Sequence, residues 1–156
     1  HARFQRVLAY DPGNQIAIQG LQDIVSRYLE LAIQASHRGL FEEAAAMIEN
    51  ARFVDPDSSD IPGVWLTLQA EMNSGDLFFS LDNNAVANRT EQVQEKLADI
   101  ARQAREHQAN FLITAPNDVL ARWMFNSMRE AVEGYRLRGN IELASRTTVR
   151  LRMPRN

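Results

Sequence analysis

The hydrophobic pattern of the first half of the chain predicts three helices. Apolar residues recur at three- and four-residue steps over residues 15–36, which indicates a helix with one buried side that Asn14 would cap. A second helix is predicted for residues 41–54 and a short third one for residues 59–71. On this last helix, Trp65 would cover the apolar side of the helices before it.

The pattern changes after the polar stretch at residues 73–76. Two short apolar runs, residues 77–81 and 111–115, are typical of buried strands. Each is followed by a predicted amphipathic helix, the first over residues 89–108 and the second over residues 119–135. The sequence therefore predicts that strands and helices alternate in the second half.

Polar residues mark the ends of these two helices. Asn88 and Glu91 resemble a capping box for the first, and either Asn117 or Asp118 would cap the second. The pair Gly139-Asn140 has two interpretations. It either ends the second helix at Gly139 or forms a two-residue hairpin turn.

One final strand is predicted for residues 141–153, where apolar and polar residues alternate. Its apolar side would be formed by Ile141, Leu143, Val149, Leu151 and Met153, and its polar side by Glu142, Arg146, Arg150 and Arg152. The resulting order is strand-helix-strand-helix-strand, with helices covering one face of a small sheet.

Composition argues against catalysis and cofactors. The chain has 156 residues, 45% of them apolar, and no cysteine, which excludes disulfides, thiolate catalysis and zinc–thiolate sites. The three histidines are far apart, so no metal site is predicted. Ser36, His37 and Asp23 share one predicted helix without a nucleophile elbow, and the 7 glycines form no phosphate-binding loop. The chain contains no run of 18 apolar residues, so no transmembrane segment is predicted.

Charge is distributed unevenly along the chain. Residues 121–156 carry 8 arginines against 3 glutamates, although the net charge of the whole chain is −3. These arginines either form a solvated face that pairs with the acidic remainder, or they form an anion-binding surface. We expect no nucleic-acid partner, because the last strand lacks the aromatic residues of an RNA-binding sheet.

Five residues in the first half have the spacing of a repeat. They are Gly39, Ala44, Ile48, Ala51 and Pro56. Their spacing resembles the second half of a tetratricopeptide repeat, in which two alanines let neighbouring helices pack closely and a proline closes the unit. The resemblance covers residues 2–65 and implies a helical scaffold that binds other molecules.

Part of this pattern occurs a second time, at Phe4, Val7 and Pro12. Pro12 and Pro56 are 44 residues apart, against a usual period of roughly 34, and the extra residues fall in the long first helix. Because this partial copy begins at its second helix, we expect the natural protein to extend further toward the N-terminus.

The second half resembles the OmpA-like, peptidoglycan-binding domain of bacterial envelope proteins over residues 76–153. The matching segments are residues 77–82, 97–101, 113–118 and 132–135. The resemblance implies a periplasmic or outer-membrane-associated protein whose partner is the peptidoglycan peptide stem or another envelope protein.

The same resemblance implies a ligand site. In that family, an Asp after the second strand and an Arg on the next helix bind the diaminopimelate of the peptide stem. Asp118 matches the Asp, whereas the Arg position falls on Met128, next to Arg129. The hypothesis is that Asp118 binds an ammonium group while Arg122 or Arg129 binds a carboxylate.

The residues of the same helix allow a plainer interpretation. Arg122, Asn126, Arg129, Glu133 and Arg136 recur at steps of three and four. They would then form a solvated stripe in which Glu133 bridges Arg129 and Arg136. Trp65 and Trp123 are interpreted as core or cap residues rather than platforms for a ligand.

The complete prediction is an α+β chain. Tetratricopeptide-like helices occupy residues 1–72, and an OmpA-like domain with helices on one face of its sheet occupies residues 76–156. The predicted function is a non-enzymatic binding or adaptor module of a bacterial cell-envelope protein, with peptidoglycan as a candidate ligand. The alternative is a purely structural scaffold for protein–protein interaction without a cell-wall ligand.

Overall fold

The computed structural model describes residues 14–155. The chain divides between Ser74 and Gly75 into two compact units, called here the helical unit and the α/β unit. The mixed α+β class predicted from the sequence is confirmed, because three helices precede a four-stranded mixed sheet with further helices. The partial repeat at Phe4, Val7 and Pro12 lies outside the described residues.

The helical unit contains the three predicted helices, each within two residues of its predicted bounds. They are α1 (Gln15–His37), α2 (Phe41–Val54) and α3 (Ile61–Met72). Asn14 caps α1 as predicted, since its Oδ1 accepts a hydrogen bond from the backbone N–H of Ala17 at 2.9 Å. Gly39 has φ of 78°, a left-handed conformation that lets the chain turn sharply between α1 and α2.

Close packing of small residues joins these helices. Ala32 on α1 and Ala44, Ile48 and Ala51 on α2 are all fully buried. A larger side chain at Ala44 would push α2 away from its neighbours. The prediction for Trp65 is corrected, because Ile61, Val64 and Leu68 form the buried side of α3 while Trp65 remains 39% exposed.

The α/β unit has seven elements. In chain order these are β1 (Leu77–Leu81), α4 (Asn83–Ala87), α5 (Glu91–His107), β2 (Asn110–Ala115), α6 (Asp118–Ala131), β3 (Gly139–Leu143) and β4 (Thr147–Arg152). The strand order across the sheet is β1-β4-β2-β3. Strand β4 is antiparallel to β1 and β2, whereas β2 and β3 are parallel.

Helices α5 and α6 cover one face of this sheet. The strand residues in the core are at odd-numbered positions, among them Phe111, Ile113, Val149 and Leu151. The even-numbered residues lie on the opposite face, which follows from the alternation of side chains along a strand.

The prediction of a single final strand over residues 141–153 is wrong. The structure has two strands there, β3 and β4, joined by a turn at residues 144–146. Residues 143 and 147 have the same parity. The sheet register pairs Ile113 with both Ile141 and Val149, so odd-numbered residues of β3 and β4 face the same side and the alternation continues across the turn. The hydrophobic pattern therefore does not indicate that the strand ends at residue 143 and a new one begins at residue 147.

Two predicted helix ends are also corrected. Thr90, not Asn88, caps α5, since its hydroxyl accepts from the N–H of Val93 at 3.3 Å; Asn88 instead follows the short α4, which the pattern missed. Gly139 neither ends a helix nor forms a hairpin turn. It begins β3, where a Cβ atom would overlap with the carbonyl oxygen and ring of Phe111.

Candidate functional site

The predicted ligand site begins where β2 passes into α6. Pro116 follows the strand, and Asn117 caps the helix because its Oδ1 accepts from the N–H of Leu120 at 2.9 Å. Asp118 is therefore the first residue of α6 rather than its cap. A carboxylate in the first turn interacts favourably with the helix dipole.

Asp118 and Arg122 are brought together as an ion pair. The Nε atom of Arg122 lies 2.7 Å from Oδ2 of Asp118, and the side chains are 74% and 57% exposed. An exposed pair of this spacing contributes about 0.3–0.5 kcal/mol to stability. A carboxylate and a guanidinium thus stand side by side in solvent, within reach of a small zwitterion.

Arg129 does not join this pair. It lies eleven residues after Asp118 on the same helix, which is about 16 Å along the axis at 1.5 Å per residue. Its guanidinium carbon is 5.7 Å from the ring centroid of Phe125. Arg129 instead lines a separate cleft of about 540 Å³ beyond the end of α6, together with Tyr135 and Arg136.

Two further observations on α6 bear on the predicted site, and the second corrects an expectation. Met128, at the position where the resemblance places an Arg, is fully buried in the core of the unit. The polar stripe ends early, because α6 stops at Ala131 and Glu133 and Arg136 lie beyond it.

A buried ion pair between Asp76 and Arg150 was not predicted from the sequence. Oδ2 of Asp76 accepts from Nη2 of Arg150 at 2.6 Å and from Nε at 3.0 Å, and the side chains are 5% and 4% exposed. Oδ1 of Asp76 accepts from the N–H of Met153 at 3.0 Å. The guanidinium also lies 4.9 Å from the ring centroid of Phe78. This clasp, as we call the Asp76–Arg150 pair, ties the start of β1 to β4.

The side chain of Asn83 forms a second set of long-range polar contacts, called here the Asn83 tie, which was not predicted from the sequence. Its Nδ2 donates to the carbonyl of Ser145 at 2.7 Å, and its Oδ1 accepts from the N–H and hydroxyl of Thr147 at 3.0 and 2.8 Å. These bonds fix the turn between β3 and β4 from 62 and 64 positions away. Both ties include a buried residue of β4, Arg150 in the first and Thr147 in the second, and we interpret them as structural.

The helical unit contributes an exposed apolar surface on α3. Trp65 and Met72 are 39% and 56% exposed. Because they are seven residues apart, they lie on the same side of α3, next to its buried stripe. We call this pair the α3 flank.

Residues 14–155 contain no group of three His, Asp or Glu side chains arranged to hold a metal ion. Among the same residues, no helix combines the length and the apolar character that crossing a membrane requires.

Comparison of the chain with protein-family models, curated proteins and solved structures found no match. The resemblances to the tetratricopeptide repeat and to the OmpA-like domain therefore stay predictions.

Proposed function

We propose that this chain is a non-enzymatic binding or adaptor module of a bacterial cell-envelope protein, periplasmic or associated with the outer membrane. The observation that carries the binding role is the α3 flank. Trp65 and Met72 are exposed apolar residues next to the buried stripe of α3. An exposed apolar surface of this kind is typical of a helix that binds another apolar surface. Large aromatic side chains at such positions are frequent anchors of protein interfaces.

The envelope assignment rests on the resemblance of the α/β unit. Support comes from the order of its elements, because each of the first two strands precedes a long helix on the same face of the sheet. Another envelope protein is the partner that this proposal favours.

Site-specific crosslinking tests the adaptor role. A photoreactive phenylalanine analogue is placed at Trp65 or Met72 in the chain expressed in a Gram-negative periplasm. The matched control is Ala70, which is also exposed on α3 but lies about 140° around the helix from Trp65. Discrete protein adducts at the two flank positions and none at Ala70 are expected. Equal labelling at all three positions, or no adduct, would contradict the proposal.

Binding of a peptidoglycan peptide stem is a second candidate function, supported by the Asp118–Arg122 pair. Its paired carboxylate and guanidinium, 2.7 Å apart, match the ammonium and carboxylate of a diaminopimelate end. The buried Met128 and the remote Arg129 speak against a site built as the resemblance implies.

Calorimetric titration with a diaminopimelate-containing peptide decides this second candidate. If it holds, Asp118→Ala and Arg122→Ala abolish binding, whereas Arg129→Ala leaves it unchanged because Arg129 lies about 10 Å beyond Arg122 and about 16 Å beyond Asp118 along α6. If the unmutated chain binds no such peptide, cell-wall binding is excluded and the adaptor role stands without it.

A further inference from the structure

Strand β3 is an exposed edge of the sheet. All five of its residues are exposed, and they include Ile141 and Leu143, which are 38% and 58% exposed. In the sheet order, β3 has β2 on one side and no strand of the described chain on the other. Such an edge is a template for pairing with another strand.

Two hydrogen bonds show which backbone groups face outward. The N–H of Phe111 donates to the carbonyl of Arg138 at 2.9 Å, and the N–H of Ala144 donates to the carbonyl of Ala115 at 3.0 Å. Even-numbered residues of β3 therefore turn their backbone groups toward β2. Because these groups alternate along a strand, Gly139, Ile141 and Leu143 present theirs to the outer edge.

This edge is complementary to itself. If a second copy of β3 pairs antiparallel, with Ile141 opposite Ile141, then Gly139 stands opposite Leu143 at both ends. In this register every outward N–H and carbonyl of the two strands meets a partner across a two-fold axis.

The side chains agree with the same register. On the face that bears the helices, the two Ile141 side chains meet, and each Leu143 lies over a Gly139 that has no side chain. On the other face, Arg138 of one copy is diagonal to Glu142 of the other, within reach of two long side chains. Arg138 and Glu142 already line one cleft of about 480 Å³ together with Asn140, so they share that face.

We propose that two copies of this chain associate through β3, in the antiparallel register centred on Ile141. A second copy fits better than an unrelated acidic or basic strand, because Arg138 just before β3 and Glu142 within it have the spacing that places opposite charges together. The contact is short and lies at the small end of interface sizes, so we expect association that rises with protein concentration.

Sedimentation equilibrium of the whole chain over a concentration series up to about 1 mM tests the proposal, since a dissociation constant of that size is the weakest association of interest. Arg138→Glu and Glu142→Arg each place like charges across both diagonals and should weaken dimerisation about tenfold or more. An equimolar mixture of the two variants should associate again as a heterodimer, because opposite charges then meet at both diagonals. Glu95→Arg, an exposed reversal on α5, is the control and should leave association unchanged.

Ile141→Pro supplies an independent test. It removes an N–H that faces away from β2, so the sheet keeps its ladder while the dimer loses its central hydrogen bonds. Circular dichroism verifies the fold of each variant. The proposal is overturned if the unmutated chain stays monomeric throughout the series, or if it dimerises and neither charge reversal changes the dissociation constant.

Discussion

The helical unit and the α/β unit bury polar side chains to different extents. Among the described residues of the helical unit, Ser36 is the buried polar side chain, and its hydroxyl donates to the carbonyl of Ala32 within the same helix at 2.8 Å. The α/β unit buries Thr114, Thr147, Thr148 and Arg150. Arg150 is bonded to Asp76, which lies 74 positions away along the chain.

This difference has a physical basis. The helices satisfy their own backbone groups, so close apolar packing of Ala44, Ile48 and Ala51 is enough to join them. The sheet brings together strands from both ends of its unit, and the first and last of them, β1 and β4, are neighbours. We infer that stability in the helical unit depends on side-chain volume, whereas stability in the α/β unit depends also on a few polar pairs.

Breaking the clasp should have the largest effect. Asp76→Asn keeps the shape of the side chain but removes the carboxylate that accepts two hydrogen bonds from the buried Arg150, and we expect a loss of about 3–5 kcal/mol. The chain has 2 tryptophans, Trp65 in the helical unit and Trp123 in the α/β unit. Urea unfolding of the α/β unit is therefore followed by the fluorescence of Trp123 in a Trp65→Phe background. Asp99→Asn on the exposed side of α5 is the control.

Overpacking should be the main weakness of the helical unit. Ala44→Leu adds volume where α2 meets its neighbours, and we expect a loss of about 1–3 kcal/mol. Unfolding is followed by Trp65 in a Trp123→Phe background. Ala46→Leu, on the exposed side of the same helix, should change stability little. If the two leucines have equal effects, close packing at Ala44 is not what joins these helices.

Loss of the Asn83 tie should have a moderate effect. Asn83→Ala removes one donor and one acceptor that hold the turn between β3 and β4, and we expect a loss of about 1–3 kcal/mol because buried Thr147 is left unsatisfied. The neighbouring Asn84→Ala, at an exposed position, is the matched control. Equal thermal midpoints for the two variants would mean that the turn between β3 and β4 is stable without the hydrogen bonds of Asn83.

The start of α6 should show the smallest effects, in a definite order. Asn117→Ala removes the helix cap and should cost about 0.5–2 kcal/mol. Asp118→Ala removes the exposed ion pair and should cost about 0.3–0.5 kcal/mol. Chemical denaturation compares the two variants, and a larger loss for Asp118 would mean that this side chain has a structural role beyond the pair with Arg122.

The same contrast explains what the sequence could predict. Helices α1, α2 and α3 were predicted closely because their signal is local, a repeat of three and four residues that ends at turn residues. The split between β3 and β4 was missed because the turn preserves the alternation. The clasp and the Asn83 tie join residues more than 60 positions apart, and a single sequence does not show which polar residues meet over such distances.

The candidate site was predicted only in part, because only part of it depends on local helix geometry. Asp118 and Arg122 are one helical turn apart, so their pairing follows from local geometry. Arg129 was grouped with them through a resemblance, yet the helix separates it by about 10 Å from Arg122 and about 16 Å from Asp118. The burial of Met128 agrees with the sequence, since its apolar character and its four-residue step from Met124 place it on the apolar side of the predicted helix.

A double-mutant cycle on the clasp tests most directly the claim that a polar pair stabilises the α/β unit. Asp76→Asn, Arg150→Met and the double variant are unfolded in urea while Trp123 fluorescence is recorded in the Trp65→Phe background. We predict that the double variant loses less stability than the sum of the single variants, with an interaction energy of about 2–3 kcal/mol. Strictly additive losses would contradict the account, because they would mean that Asp76 and Arg150 do not stabilise the unit as a pair.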